Sequence, residues 1–365
     1  MGLKRSTVDP SVYWNESITV GVYVDDLIVS VANEDSRVWF ETELDMAFPD
    51  KIKREGKVSW CLGMKIEQDI EKGITSISQQ KFIVDSLESF GWGDIAGVYK
   101  PSVSGLDISV AAPPSSHEEV EFMKSKPYRS AVGKLLYCSI GTRPDIAFVV
   151  SQVARHGANP SKIHWGAIKR IFAYLKHTKH VKIVYSARNV DFPLYAYVDA
   201  DWAGCKISRR PTTGFVIMFA NAAIAWGSRR QLCVALSSCE SEYIAGCVCG
   251  QEVIWIRQLL IELGYKFDAP VKIYCDNQSA IAMMKNPGSK RAKHIDIKYH
   301  WIRTQVMENK TFDFVWCSTH ENLADLLTKN LCEVKTVQFR NGVLGNVEAH
   351  SVRAFCMEVT EDFCD

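Results

Sequence analysis

The sequence contains no CxxC pair among its twelve cysteines, which removes the usual zinc-ribbon and thioredoxin-type redox arrangements. Cys247 and Cys249 form a CxC inside a predicted helix, a poor geometry for zinc, so the cysteines read as reduced, mostly buried thiols. Net charge is nearly absent, +1 at pH 7. No global basic field marks the chain for nucleic acid, and any such binding must come from local clusters. No apolar run approaches the roughly 20 residues of a membrane helix. The opening MGLKRSTVDPSVYWNESITV lacks a signal-peptide core. The expectation is an intracellular chain, cytoplasmic or nuclear, not secreted and without a membrane partner. What is present is 365 residues, 47% apolar and 23% charged, the composition of a globular protein with two or three cored domains.

Residues 18 to 30, ITVGVYVDDLIVS, read as a β-hairpin with Asp25 and Asp26 at its tip. An amphipathic helix follows over 34 to 48, then a second hairpin over 57 to 79 and a helix over 78 to 90. Residues 98 to 117 are rich in Pro, Ser and Gly and read as linker or surface loop. From 127 to 180 the pattern is helical.

From 191 the pattern changes. Strands are expected at 194 to 200, 214 to 220, 223 to 229 and, in QLCVAL, at 231 to 236. Ser237 and Glu240 have capping-box spacing at the start of a helix that runs to about Leu263. A buried strand VKIYC (271 to 275), helices over 277 to 285 and 298 to 309, a strand over 311 to 317 and a short helix over 322 to 329 complete the order. Antiparallel strands followed by βαβ-like units imply a mixed α/β (α+β) sheet with flanking helices. This is the element order of a ribonuclease H-like fold.

Four acids sit where strands end or helices begin in that order: Asp199, Glu242, Asp276 and Asp325. Each has an ordinary explanation. Glu242 and Asp325 lie in first turns, where the helix dipole favours acids, and Asp276 has the position of an N-cap. Asp199 lies in a strand, where Asp is depleted. Asp201 shares its face and remains a second candidate there. In the ribonuclease H-like order these four positions converge, and clustered carboxylates form a hard-oxygen cage for divalent cations. His320, in the turn before the last helix, is a candidate proton shuttle.

YVDADWAG, RRPTTGFV, AIAWGSRRQ, SSCESEYIA, YCDNQSAI, KHIDIKYHWIR and NLADLLTK together resemble the ribonuclease H domain of copia-type LTR retrotransposon Pol polyproteins. Upstream, GLKRSTVDPSVY, YVDDLIVS, CLGMKI, YRSAVGKLLY, TRPDIAF and HWGAIKRIFAYLKHT resemble the reverse transcriptase of the same polyproteins. The resemblance implies a partial palm and thumb over 1–97, a linker and helical connection region over 98–190, a ribonuclease H-like domain over 191–331 and a C-terminal tail over 332–365. It implies two bound ions, Mg²⁺ or Mn²⁺, on Asp199, Glu242, Asp276 and Asp325, and endonucleolytic cleavage of RNA in RNA–DNA hybrids. Asp25 and Asp26 match two of three palm acids of the polymerase. The third has no counterpart in this sequence, so no DNA synthesis is expected of this chain alone. Other parts of a Pol polyprotein are expected partners. The alternative from another class is a non-catalytic nucleic-acid-binding relic of a decayed element.

Two basic clusters interleaved with aromatics fit contact with phosphate and sugar. One includes Lys162, Lys169 and Arg170 beside Trp165 and Tyr174. The other is Lys290, Arg291, Lys293, His294, Lys298 and Arg303 beside Tyr299 and Trp301. Reversing the charge of Lys290, Arg291 and Lys293 is expected to weaken hybrid binding and flatten its salt dependence. Unchanged binding isotherms would remove this cluster from the interface.

Overall fold

The computed structural model describes residues 2–49, 52–102, 108, 113–187, 194–202, 209–286 and 301–346. The chain divides into two compact units, one of Met1–Ser59 with Gln251–Pro270, the other of Trp60–Gly250 with Val271–Asp365.

The first unit holds a wholly antiparallel sheet of β1 (Lys4–Arg5), β2 (Val12–Trp14), β3 (Ile18–Tyr23) and β4 (Asp26–Val31), in that order. Ile18 and Val20 alternate onto one face of β3 and pack with Phe40 and Leu44 of α1 (Glu34–Ala47). Asn33 starts α1 by accepting the Ser36 amide at 2.9 Å. Tyr23 pairs with Asp26, so Val24 and Asp25 form a two-residue turn, and the expected hairpin with acids at its tip is present. Asp25 and Asp26 are exposed. β4 is an edge strand that exposes Leu27, Ile28 and Val29.

In the second unit, β5 (Trp60–Cys61), β6 (Met64–Asp69) and β7 (Ile74–Ser78) form an antiparallel run that β8 (Ile183–Ser186) joins from far along the chain. Helices α2 (Gln80–Ser89), α3 (His117–Lys124), α4 (Tyr128–Gly141), α5 (Ala147–Ala154) and α6 (Lys162–His177) build one apolar core around Leu135, Val150, Ile168 and Phe172. Within that core, Arg143 and Asp145 form a fully buried ion pair, Nη2 to Oδ2 2.7 Å.

The site is carried by a five-stranded mixed sheet of β9 (Leu194–Asp201), β10 (Thr212–Phe219), β11 (Ala222–Arg230), β12 (Val271–Cys275) and β13 (Phe312–Trp316), in the order β11-β10-β9-β12-β13. β9, β10 and β11 pair antiparallel, while β12 is parallel to both β9 and β13. Helix α7 (Ser238–Glu262) lies between β11 and β12 in sequence, and α8 (Gln278–Lys285) and α9 (Trp301–Met307) lie between β12 and β13. This is the mixed ribonuclease H-like sheet with flanking helices that the element order implied. α7 approaches β13 closely because Gly246 and Gly250, one turn apart, lack side chains. A Cβ there would stand 3.2 Å from Phe314 and 2.9 Å from Phe312.

Three local expectations fail. QLCVAL is not a strand. Leu232, Val234 and Leu236 alternate outward to solvent, and the Gln231 amide is spent on Thr213 Oγ1 and the Ser241 carbonyl, turning the chain into α7. α7 itself is long and apolar enough to cross a membrane, by length and composition only. Its Tyr243, Ala245, Cys247 and Cys249 are buried within the protein. Third, no element was expected after 331, yet α10 (Glu333–Val343) packs Phe339 and Val343 onto Val216 and Leu323. Among the described residues no disulfide forms.

Candidate metal centre

The geometry is set by strand β9 and by three capping residues that are not the four acids. At the start of α7, the Ser237 hydroxyl accepts the Glu240 amide at 3.2 Å and the Glu240 carboxylate accepts the Leu236 amide at 2.8 Å. Asn277, not Asp276, is the N-cap of α8 and accepts the Ala280 amide at 3.0 Å. Asn322 caps a 3-10 turn over Leu323–Leu327, accepting from Ala324 at 3.2 Å. The local duties that would have explained Glu242, Asp276 and Asp325 are thus performed by neighbours, and each acid is left to point elsewhere.

They point at one another. Ligand oxygens of Asp199, Asp276 and Asp325 lie within 4.8 Å of one another, and so do those of Glu242 and Asp276 with the thiol sulfur of Cys275. Asp201, the alternative on β9, belongs to neither group. The groups share Asp276, so the four acids form one continuous cluster. Asp199, Glu242 and Asp325 are buried, while Asp276 is half-exposed at the mouth. An open cleft of about 480 Å³ is lined by Asp199, Glu242, Asp276, Ser279, Trp316 and Lys329 among others.

Each acid is aimed by a specific bond. Glu242 accepts the Ala200 amide at 3.1 Å, which ties α7 to the residue after Asp199. Thr319 donates its hydroxyl to Asp276 at 2.7 Å. The Asn322 side-chain amide donates to the Val198 carbonyl at 3.0 Å, fixing the Asp325 turn to the residue before Asp199. Thr328 donates its hydroxyl to Asp199. Gly214 makes this approach feasible. It stands opposite Asp199 in the β9–β10 ladder, and a Cβ there would lie 2.6 Å from Thr328 Cγ2 and 2.9 Å from the Ala324 carbonyl.

Crowding of carboxylates has its ordinary electrostatic result. Burial first, then the charges of Asp199 and Asp276, holds the Glu242 carboxyl well above the usual carboxylate range. Burial and the Asp199 charge raise Asp325 to about 7 against the opposing pull of Lys329. The Lys329 ammonium is 2.8 Å from Asp325 Oδ1 and 3.3 Å from Asp199. Burial opposes its charge, but the two carboxylates outweigh burial and keep its pKa above that of an ordinary lysine. Convergent oxygens, carboxyls held uncomfortably close and a cation already drawn in are the properties of a site that can hold metal ions. Asp199, Glu242, Asp276 and Asp325 would be the ligands.

His320 is exposed in the turn after β13, next in sequence to Thr319, and its amide donates to Ser318 Oγ at 3.3 Å. Asp25 and Asp26 belong to neither ligand group. Of the basic residues, Lys290, Arg291, Lys293, His294 and Lys298 lie outside the described residues. Arg303 turns inward, its Nε donating to the Met283 carbonyl at 3.1 Å and its guanidinium over the Tyr243 ring. Lys162 and Lys169 are exposed on α6, with their ammonium groups over Phe122 and Trp92, and Arg170 donates to the Ser102 carbonyl at 2.7 Å. Asn322, Thr328 and Lys329 escaped sequence reasoning, although all three flank Asp325 in one short segment, and an Asn three residues before an acid is itself a cap signal.

No family profile matches the chain. It is similar to the retrovirus-related Pol polyprotein from transposon TNT 1-94 of Nicotiana tabacum, 38% identical over 88% of this chain and 24% of that protein. The retrovirus-related Pol polyprotein from transposon RE2 of Arabidopsis thaliana is 32% identical over 87% of this chain and 21% of its own length. A shorter stretch, 37% of this chain, is 40% identical to 94% of the secreted RxLR effector protein 161 of Plasmopara viticola. The chain therefore spans about a quarter or less of the two Pol polyproteins it matches.

Proposed function

Because the chain belongs to the retrovirus-related Pol polyproteins of copia-type transposons, we propose that its acid cluster is a ribonuclease H centre that cleaves the RNA strand of RNA–DNA hybrids. The observation that carries this function is the convergence of Asp199, Glu242, Asp276 and Asp325 in one cluster, the first three lining an open cleft, while other residues cap their helices. Two divalent cations, Mg²⁺ or Mn²⁺, are the cofactors this oxygen-rich set selects. Held by Asp199, Glu242, Asp276 and Asp325, such ions would supply charge neutralisation at the scissile phosphate and activation of water.

The chain's own residues supply the remainder. Thr319 and Thr328 fix the directions of Asp276 and Asp199 before substrate arrives, so little reorganisation accompanies the reaction. Trp316, 53% exposed at the cleft rim, presents an aromatic face to a sugar or base. His320, exposed one residue after the Thr319 that bonds Asp276, would move a proton between the cleft and solvent. The exposed Lys162 and Lys169 of α6 contact the duplex backbone, together with the Lys290–Lys298 segment. Asp25 and Asp26 would serve as acids of a polymerase palm, with other parts of a Pol polyprotein as partners. The working environment is inside the cell.

The test is incubation of the chain with an RNA–DNA hybrid and Mg²⁺, beside Asp276→Asn and beside a sample treated with chelator. Cleavage of the RNA strand by the unaltered chain alone is the expected result. Equal background from all three samples would leave a nucleic-acid-binding relic as the surviving function.

A further inference from the structure

The two ligand groups of the cluster differ in one respect. The group of Asp199, Asp276 and Asp325 already contains a cation, since the Lys329 ammonium bridges Asp325 at 2.8 Å and Asp199 at 3.3 Å. The group of Glu242, Cys275 and Asp276 has no such bridge among the described residues. There Glu242 accepts the Ala200 amide and stands 3.9 Å from the Cys275 thiol. Mg²⁺ takes oxygen ligands at about 2.0–2.1 Å. It therefore cannot sit between Asp199 and Asp325 while an ammonium hydrogen-bonds to both.

Resting on the ribonuclease H centre proposed above, we propose that Lys329 is a resident counter-ion that makes the two cation sites unequal. The first ion enters at Glu242 and Asp276. The second must exchange with Lys329.

Three features favour exchange over permanent blockade. Lys329 is reached through a flexible four-carbon stem, and its side chain is 34% exposed. It sits two residues beyond a short 3-10 turn, not within a rigid helix. It also lines a second cavity, of about 250 Å³, together with Asp201, Gln152 and Arg170. The displaced ammonium has room there and meets the Asp201 carboxylate. This gives Asp201, the second acid of β9, a role without making it a ligand. Without metal, Lys329 offsets the repulsion between Asp199 and Asp325. With metal and nucleic acid present, it stands at the cleft edge as a cation for a phosphate.

The test is titration of the chain with Mn²⁺ alone, free ion being counted by its paramagnetic resonance, for the unaltered protein, Lys329→Met and Lys329→Arg. The unaltered chain is expected to bind one ion, and a second about tenfold or more weakly, as expected for exchange against a unit charge a few ångströms away. Lys329→Met is expected to bring the second affinity to within a few-fold of the first. Lys329→Arg, which keeps the charge, is expected to retain the gap. Thermal melting supplies a control for folding, because metal-free Lys329→Met is expected to melt earlier and Mn²⁺ to restore it. An unchanged gap in Lys329→Met, in a chain that still cleaves hybrids, overturns the role of Lys329 and leaves the ribonuclease assignment standing. Failure of all three proteins to bind Mn²⁺ overturns both.

Discussion

Arg143→Ala is expected to unfold the second unit, or to cost it about 3–5 kcal/mol where the fold survives. Arg143 and Asp145 are fully buried and joined by two bonds, Nε to Oδ1 at 2.9 Å and Nη2 to Oδ2 at 2.7 Å. Arg143 also donates to the Thr178 hydroxyl at 2.6 Å and to the Thr178 carbonyl at 3.2 Å. Tyr174 donates to Asp145 at 2.6 Å, and Arg340 of α10 reaches Tyr174 at 3.4 Å. The network therefore ties α6 and α10 to the turn before α5. Removing Arg143 strands a carboxylate in the core, and the cost is that of an uncompensated buried charge. The pair replaced together, as Arg143→Met with Asp145→Leu, is expected to recover much of the loss. Urea unfolding followed by circular dichroism measures both. An Arg143→Ala midpoint within experimental error of the parent would show that the pair carries no weight.

The same pair has a pH signature. Burial works against the Asp145 charge, but Arg143 and Tyr174 outweigh it and hold the carboxyl below its ordinary value. A depressed folded pKa means stability that is present above the unfolded value near 4 and is lost as pH falls through the folded one. This contribution therefore fades only below the ordinary carboxylate range.

Asp325→Asn is expected to move activity and stability in opposite directions. Loss of one carboxylate from the cluster should lower hybrid cleavage by about three orders of magnitude, in the range seen when a preorganised charge is removed from a reacting centre. The metal-free protein should nevertheless become more stable at pH 8. Asp325 is raised to about 7, chiefly by burial and by Asp199. A carboxyl with a raised folded pKa contributes its full stability below the unfolded value near 4. That contribution is lost progressively as pH rises to about 7, so the ionised group destabilises the fold above that pH. Asparagine keeps the shape without the charge, and the gain at pH 8 is on the order of a few kcal/mol, reduced by the lost bond to Lys329. Melting temperatures at pH 5 and pH 8, with chelator, should differ less in the variant than in the parent. Adding Mg²⁺ should stabilise the parent and not the variant. A variant that melts below the parent at pH 8 would mean that the Lys329 bond outweighs the crowding.

The legibility of these features in sequence varied with their range. The Asp25–Asp26 hairpin, the starts of α1, α7 and α8 and the strands of the mixed sheet were readable, because alternation, caps and turn residues act within a few positions. β8 was not readable, since its partner β7 lies more than a hundred residues earlier and Ile183–Ser186 is too short to declare itself. QLCVAL has the alternation of a strand but joins no ladder among the described residues. α10 has a weak apolar stripe and is held by Phe339 and Val343 against a surface assembled elsewhere.

The identities of the four acids follow from sequence, because local order and family motifs both select Asp199, Glu242, Asp276 and Asp325. What the sequence left open was whether each was a cap or a ligand, since a carboxylate at a helix start serves either purpose equally well. The tertiary structure removes the capping alternative. Ser237, Asn277 and Asn322 take the caps, Gly214 lets the last turn reach β9, and Lys329 arrives in the gap between Asp199 and Asp325. Capping is settled within three residues of chain. The spacing of charges brought from four separate elements is settled by packing, and their electrostatics follows from that spacing.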